Sequence, residues 1–378
     1  MKRFFTLSLS CFLFFAAQAQ EKTLQEKLKF TADFRFRVEE DWDSRKSDGS
    51  YRDNRTRFRY RARFGFNYQH NEWAKVGMRI RTGLQNHQQD PQLTLGTGYE
   101  EFGTLPIGFE KIFFQANHKW LTAWAGKNTF PFEKQNELFW SDNVYPEGVY
   151  FGSKFPIESP AIGSIKLNMG HFIVSSAGKA LADDRYFQGI QVVTTHFDQR
   201  LKLYPSFYYF NRMPDIPDDK GTYELNYSIF HLGAKIKISD KPAISVGLDY
   251  YNNLEDLGAN DSIPAKLKDQ KRGLVGSLIF GNFEEKGDWT LRLYYTYLER
   301  YAAVDFLAQN DWTRWDYSNA GSPAGRLTNF KGVEFKAGYV VSKNFKVNMR
   351  YFVVEQILPY GDALETGNRV RFDLDIGF

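Results

Sequence analysis

The chain has 378 residues, and its 49 lysines and arginines against 45 aspartates and glutamates give a formal net charge of +4. A balance this close to neutral gives no reason to expect nucleic acid as a partner. The only cysteine, Cys11, lies in an N-terminal apolar segment, so the rest of the chain has no residue for a disulfide, a thiolate metal site or a cysteine nucleophile.

The N-terminus has the pattern of a secretory signal peptide. Positively charged residues 2–3 precede an apolar segment at 4–15, and Ala17 and Ala19 are small residues at the positions that a signal peptidase reads. An apolar segment of about twelve residues is too short to span a bilayer as a helix. We predict that residues 1–19 are removed as a signal peptide, which leaves a mature chain with a formal charge of about +2.

The remaining sequence combines many aromatic residues with a lack of long apolar runs. No run of about 18 apolar residues follows the signal, so helical membrane spans are excluded. Yet 17% of the residues are aromatic, including 35 phenylalanines and 22 tyrosines. A transmembrane β-barrel explains both facts, because its strands turn every second residue to lipid and the others to water.

Apolar and polar residues alternate in segments of about ten residues, the length of a tilted transmembrane strand. These segments are residues 30–38, 56–68, 74–82, 110–118, 121–127, 148–155, 164–174, 186–196, 201–211, 228–238, 244–252, 272–281, 289–297, 333–341, 345–353 and 370–378. They predict an all-β fold, a transmembrane antiparallel β-barrel of about sixteen strands, and counts of about fourteen to eighteen are compatible with the weaker segments.

The connections between these segments alternate in length. Short ones lie near residues 70–72, 119, 198–199, 239–241, 284–287 and 342–344, and long ones occupy 39–54, 84–108, 129–147, 212–225, 253–270 and 300–330. This alternation is typical of barrels with short periplasmic turns and long extracellular loops. No linker interrupts the pattern, so we predict a single outer-membrane barrel domain over residues 20–378.

A soluble β-sandwich or solenoid is the alternative for alternating strands. The last segment argues against it, because this amphipathic strand ends on the aromatic Phe378. A strand of this kind is what the barrel-assembly machinery of Gram-negative outer membranes is expected to recognise.

Three stretches resemble the putative porin family of Gram-negative outer membranes. They are residues 53–66, residues 77–83, and residues 125–149, which include Pro131-Phe132 and Trp140-Ser141-Asp142. Together they cover roughly the first third of the mature chain. The resemblance implies a barrel with a transmembrane pore, and it implies neither a defined solute nor a set of functional residues.

A ladder of arginines is the sharpest local feature. Arg55, Arg57, Arg59, Arg61 and Arg63 share one face of a predicted strand. Lys75, Arg79 and Arg81 share the same face of the next strand, and Asp33, Arg35 and Arg37 share that face of the strand before it. With a turn near residues 70–71, Arg79 would lie opposite Arg61 or Arg63, and Arg81 opposite Arg59 or Arg61.

Like charges directly across a strand pair are destabilising, so this face is expected in water or beside counter-charges. Five alternate residues span about 27 Å of strand. A cationic wall of that height favours anions in a pore and opposes cations. The alternative is that the arginines are only solvated in a wide interior and paired with acids such as Asp33.

The third long loop, residues 129–147, is a candidate for a segment that narrows the pore. It carries Glu133, Glu137, Asp142 and Glu147 together with four large aromatic residues. Acids in this loop could face the arginines if the loop folds inward, and the alternative is that the loop caps the outside.

Other candidate sites are weaker. Asp215, Asp218 and Asp219 could hold calcium, but their spacing is not that of an EF-hand and external acidic loops are usually solvated. Residues 311–317 contain aromatic rings that could stack on sugars, although packing is the more frequent role. Histidines occur singly, without ligand spacing, so no metal or other cofactor is predicted.

The sequence therefore predicts a porin for passive diffusion of small hydrophilic solutes, with a bias toward anions or acidic molecules. Two alternatives stay open: a dedicated export channel for an acidic polysaccharide, and a barrel without an open pore that acts as an enzyme or adhesin. No nucleophile or phosphate-binding motif indicates an enzyme. Expected partners are outer-membrane lipid and lipopolysaccharide, while monomer and homo-oligomer are both compatible with the sequence.

Overall fold

The computed structural model describes residues 24–85, 88–96, 103–157, 159, 161–216, 223–312 and 327–378. The predicted signal peptide lies outside these residues. The strands are β1 (Leu28–Trp42), β2 (Arg55–Gln69), β3 (Ala74–Thr82), β4 (Leu93–Thr94), β5 (Ile107–His118), β6 (Leu121–Lys127), β7 (Glu147–Pro156), β8 (Ile162–Ser175), β9 (Arg185–His196), β10 (Leu201–Leu203), β11 (Ser206–Pro214), β12 (Glu224–Asp240), β13 (Ala243–Asn253), β14 (Arg272–Gly281), β15 (Trp289–Leu298), β16 (Phe330–Ser342), β17 (Phe345–Gln356) and β18 (Thr366–Gly377).

Helical structure is limited to short pieces in the described part of the chain. They are one α-helical turn, α1 (Leu24–Lys27), and three 3₁₀ turns at Leu181–Asp183, Ala265–Leu267 and Asp305–Leu307. None of the helices that the structure describes is long and apolar enough to cross a bilayer.

The sheet is a closed antiparallel barrel of sixteen strands. Consecutive long strands pair with each other, and β1 pairs with both β2 and β18, which closes the ring. Two short strands account for the total of 18. β10 continues into β11 along the same two neighbours, and β4 is a two-residue strand beside Arg59 and Tyr60 of β2. The predicted fold and strand number are confirmed.

Alternation along each strand separates two faces of the barrel wall. On β2, Phe58 and Phe64 are 49% and 47% exposed, while Arg59 and Arg61 between them are 4% and 5% exposed. In a closed ring the exposed aromatic residues therefore face outward and the buried arginines face inward. This is the inverse of a soluble protein, and it suits a wall whose outer side contacts hydrocarbon.

Connections alternate between the two ends of the barrel. Turns such as residues 119–120 and 241–242 are short, whereas loops 43–54, 128–146 and 299–329 at the other end are long. The predicted alternation is confirmed. β1 continues to Trp42, however, so the first long loop begins four residues later than the predicted boundary.

Loop 128–146 folds into the ring and packs on the inner wall. Phe132 lies edge-on to Tyr208 at 5.4 Å, and Phe139 stacks on Tyr251 at 4.8 Å between ring centroids. Both loop phenylalanines are at most 4% exposed. Glycines of the wall make room for the loop: a Cβ on Gly189 would lie 2.5 Å from the Phe132 ring, and one on Gly247 would overlap the Gln135 side chain.

Candidate functional site

The arginines of β2 are neutralised first by acids of β1. Asp33 accepts hydrogen bonds from Arg61 at 2.9 Å and from Arg63 at 2.8 and 3.0 Å. At the other end of the same face, Asp41 accepts one from Arg55 at 2.7 Å, and Glu39 pairs with Arg57. Arg35 and Arg37, in contrast, lie opposite Arg61 and Arg59. β1 therefore supplies acids at its ends and further arginines in the middle of the wall.

Charges also meet at the seam between β1 and β18, where four successive inward-facing rungs carry opposite signs. The pairs are Arg35–Asp375, Arg37–Asp373, Glu39–Arg371 and Asp41–Arg369, and the arginine Nε lies 2.5 to 2.6 Å from a carboxylate oxygen in each. All four pairs are directly in register. The ladder thus continues around the wall on strands that are distant in sequence.

β3 pairs with β2 in a different register from the predicted one. Arg81 lies opposite Arg63, and Arg79 lies opposite Gly65. The predicted register was wrong because the turn extends to residue 73, where the Asn71 side chain accepts hydrogen bonds from the Trp73 and Ala74 backbone.

Arg79 and Lys75 of β3 have partners on other elements, whereas Arg81 donates to backbone oxygens close to it in the chain. Arg79 pairs with Glu110 of β5 and donates to the Tyr145 hydroxyl at 2.7 Å, and Arg81 donates to the backbone oxygen of Thr82 at 2.9 Å. Lys75 sits 5.7 Å above the Phe113 ring.

Two loop acids make close contacts with the arginines of the wall. Asp90 contacts the Nη2 of Arg59 with both oxygens at 2.6 Å. Asp311 contacts the Nη1 of Arg350 at 2.7 Å and pairs with Arg371. These three arginines oppose other arginines, since Arg59 faces Arg37 and Arg350 faces Arg371. The loops therefore add negative charge where two arginines face each other, beside the strand acids Glu39 and Glu334 that already pair with Arg371 and Arg350.

Two adjoining cavities lie beside these residues. The first has a volume of about 250 Å³, and nine of its 18 lining residues are arginines whereas four are acids. They are Arg35, Arg37, Arg57, Arg59, Arg61, Arg63, Arg350, Arg369 and Arg371, with Asp90, Glu137, Asp142 and Asp311. The second, of about 290 Å³, is lined by residues such as Lys134, Arg292 and Lys336. Glu137, Asp142 and Arg350 border both cavities, so this point separates them.

The predicted acids of loop 128–146 do not act alike. Glu137 lies 3.8 Å from Arg350, but Glu133 pairs with Lys202 at 2.8 Å and Asp142 pairs with Lys134. Glu147 does not belong to the loop. It begins β7 in the same outward phase as the exposed Val149, and its 61% exposed side chain pairs with Lys127.

Two loop acids have perturbed pKa values. Burial and the nearby Asp142 raise the pKa of Glu137 above its usual range, against the opposing effect of Arg350. Arg371 and Arg350 hold the pKa of Asp311 well below its usual range, despite its burial. Asp311 is therefore ionised at any physiological pH, whereas Glu137 takes up a proton more readily than an ordinary glutamate.

The sequence did not identify several residues that line the cavity, namely Asp311, Arg350, Arg369 and Arg371, or several acids that pair with the wall arginines, namely Glu39, Asp41, Glu110, Asp373 and Asp375. A signal was present in β18, where Arg369, Arg371, Asp373 and Asp375 alternate with the apolar residues that mark the strand. The apolar phase was used to identify the strand, and the charged phase between was not. Asp311 had no comparable local signal.

The weaker predicted sites have structural partners. Asp215 is buried and pairs with Arg300 rather than facing an open calcium site. Asp218, Asp219 and residues 313–317 lie outside the described residues. Trp312 is buried against Phe330, which is a packing role. Within the described ranges no group of three or more metal-ligating side chains occurs.

Residues 49–226 match the model of a family described as putative porin. The resemblance to the putative porin family is confirmed. No curated protein matches the chain. The chain also has the fold of solved porins. OprB from Pseudomonas putida, in its high-pH structure, aligns with a TM-score of 0.56 at 12% identity over 94% of this chain and 95% of its own.

Two further solved structures give the same result. A triple mutant of the Rhodopseudomonas blastica porin aligns with a TM-score of 0.51 at 13% identity over 92% of this chain and all of its own (100%). OmpT of Vibrio cholerae, an outer membrane protein with loop L8 deleted, aligns with a TM-score of 0.52 at 10% identity over 93% and 99%. At such identities the likeness shows the fold, and the porin family and this fold together support an outer-membrane barrel.

Proposed function

We propose that this barrel is an outer-membrane porin through which small hydrophilic solutes diffuse passively, with a preference for anions. The observation that carries the proposal is the composition of the 250 Å³ cavity, where nine arginines face four acids. Cavity walls of low dielectric concentrate the field of such an excess, which raises the local concentration of anions and lowers that of cations.

Pairing of the arginines does not remove this preference. At the Glu39–Asp41 end of the ladder four arginines share two strand acids, since Arg57 and Arg371 pair with Glu39 and Arg55 and Arg369 pair with Asp41. A guanidinium that already holds one carboxylate through one edge still presents other N–H groups to a passing anion. We infer that the arginines lining the cavity set the selectivity through these remaining donors.

Loop 128–146 supports a narrowed passage. Its aromatic side chains are buried against the inner wall, while Glu137 and Asp142 remain at the border between the two cavities. An acid at that point, opposite Arg350, gives a transverse field that orients dipolar solutes. The passage proposed here runs through both cavities.

Reversal potentials across planar bilayers test the proposal. In a KCl gradient the purified barrel should show anion preference, and replacing the cavity residues Arg59, Arg61 and Arg63 by alanine should move the reversal potential toward cation preference. A control variant with Arg200→Ala and Arg212→Ala removes arginines that are 53% and 51% exposed and do not line the cavity. Cation preference in the unaltered barrel, or an unchanged potential in the triple variant, would refute the proposal.

The same recordings separate the alternative functions. An export channel for an acidic polysaccharide should be blocked by low concentrations of an anionic oligosaccharide while chloride passes freely. A barrel that serves as an enzyme or adhesin should show no current, and liposomes that contain it should not take up solutes.

A further inference from the structure

The acids around the first cavity are of two kinds. Glu39 and Glu334 belong to strands, and their side chains are at most 4% exposed. Asp90, Glu137 and Asp311 come from loops, and their side chains are 41%, 27% and 13% exposed at the cavity. Strand acids are fixed by the ladder of the sheet, whereas a loop acid can leave its arginine by rotation of the side chain.

Arg350 and Arg371 divide their donors between these two kinds of acid. The Nε of Arg350 donates to Glu334 at 2.5 Å, and the Nε of Arg371 donates to Glu39 at 2.6 Å. These bonds fix the orientation of both guanidinium planes. The Nη1 atoms of the two arginines then converge on the Asp311 carboxylate, one on each oxygen.

We propose that the Nη1 groups of Arg350 and Arg371 form a binding site for the carboxylate of a small organic acid, and that Asp311 occupies this site as a tethered substitute. The inference deepens the proposed function, because solutes must reach the cavity to use the site. Two preorganised guanidiniums, one for each oxygen, suit a planar carboxylate.

The tether holds the substitute in place without closing the site. Trp312, next in the chain, is 1% exposed and stacks on Phe330 and edge-on to Phe352. Gln309, two residues earlier, donates to Glu137 at 3.2 Å. The backbone on both sides of Asp311 is therefore anchored, and its carboxylate stays at high effective concentration beside the two arginines. A solute carboxylate has to compete with it.

Removal of this competitor is the test. Asp311→Asn keeps the size of the side chain and removes its charge. In planar bilayers, succinate should block the chloride current of the variant at a concentration about tenfold lower than in the unaltered barrel, since a charge-assisted contact is freed. Asp261→Asn is the matched control, because it removes an exposed acid from the loop between β13 and β14 and should leave the block unchanged.

Other outcomes overturn the proposal or one of its parts. If succinate blocks Asp311→Asn at the same concentration as the unaltered barrel, and the variant still conducts chloride, the carboxylate site is excluded while the porin function stands. Block by inorganic phosphate as strong as that by succinate would refute the carboxylate assignment. A barrel without current would contradict the proposed function. Titration calorimetry with succinate then tests the site independently, because equal affinity of the unaltered barrel and Asp311→Asn for succinate would overturn the site.

A second variant covers failure of Asp311→Asn to fold. In the unaltered barrel, high concentrations of succinate should displace Asp311 and block the current. Arg371→Gln should abolish this block, and persistence of the block would overturn the site.

Discussion

Arg37 of β1 and Asp373 of β18 lie opposite each other where the first and last strands pair, and hydrogen bonds of 2.6 and 2.8 Å join them. The order of charges along this seam reverses after two rungs, with arginines first on β1 and then on β18. A shift of the pairing by two residues would place Arg37 opposite Arg371 in one direction, or Glu39 opposite Asp373 in the other. The charges therefore favour one register for closure of the ring.

We expect Asp373→Asn to lower the free energy of unfolding by about 3–5 kcal/mol, because it leaves the guanidinium of Arg37 buried without its carboxylate. Urea unfolding in lipid vesicles measures this difference. Asp240→Asn is the control, since the Arg200–Asp240 pair is 53% exposed on both sides and should contribute less than about 1 kcal/mol. Equal effects of the two changes would show that the seam pair is not special.

Gly189→Ala should displace loop 128–146 from the wall. A Cβ at this position would lie 2.5 Å from the Phe132 ring, so the ring must move toward the middle of the barrel. We expect a smaller single-channel conductance and faster proteolysis of the loop. Gly276→Ala is the matched control, because no heavy atom lies within 4 Å of the added Cβ. A conductance equal to that of the control would argue against the loop as the narrow point.

Anion preference should increase as the pH falls through the pKa of Glu137. Burial and Asp142 raise this pKa, while Arg350 and Lys134 oppose the shift. Because its pKa is raised, Glu137 takes up a proton at a higher pH than an ordinary glutamate. Its protonation removes a negative charge from the border between the cavities and leaves Arg350 less neutralised. Reversal potentials at several pH values between neutral and mildly acidic should show the change.

Glu137→Gln is the control for this pH effect. It should show the low-pH preference at neutral pH and little further change on acidification. Acidification should also increase folding stability at this group. Because folding raises the pKa of Glu137, its protonation favours the folded over the unfolded state as the pH falls. A pH response identical in both proteins would assign the titration to another group.

The strands were predictable because each one alternates between hydrocarbon and the interior, and this alternation is local. The C-terminal end of β1 was not predictable from this alternation. Its last residues, 39–42, include three acids and look like a loop, yet Glu39 and Asp41 lie in the sheet because arginines of β2 and β18 neutralise them. The register of β3 depended on a turn capped by Asn71, which the alternation does not encode.

The site was predictable only in part for the same reason. The arginines of β2 form a pattern within nine residues, whereas Asp373 pairs with Arg37 from 336 positions away and Asp311 reaches Arg350 and Arg371 from a separate loop. Residues that become ion-pair partners only when the ring closes cannot be matched to each other from the periodicity of either strand. Asp33 was found because it lies on the neighbouring strand, and its contact with Arg63 depends on one hairpin.

Ring closure also decides when the arginine cavity can exist. Its arginines come from the first two and the last two strands of the ring, so the two halves of its wall meet only when β1 pairs with β18. A partly assembled sheet would carry guanidiniums and carboxylates on both edges without their partners across the seam. Completion of the cavity and completion of the fold are thus a single event for this barrel.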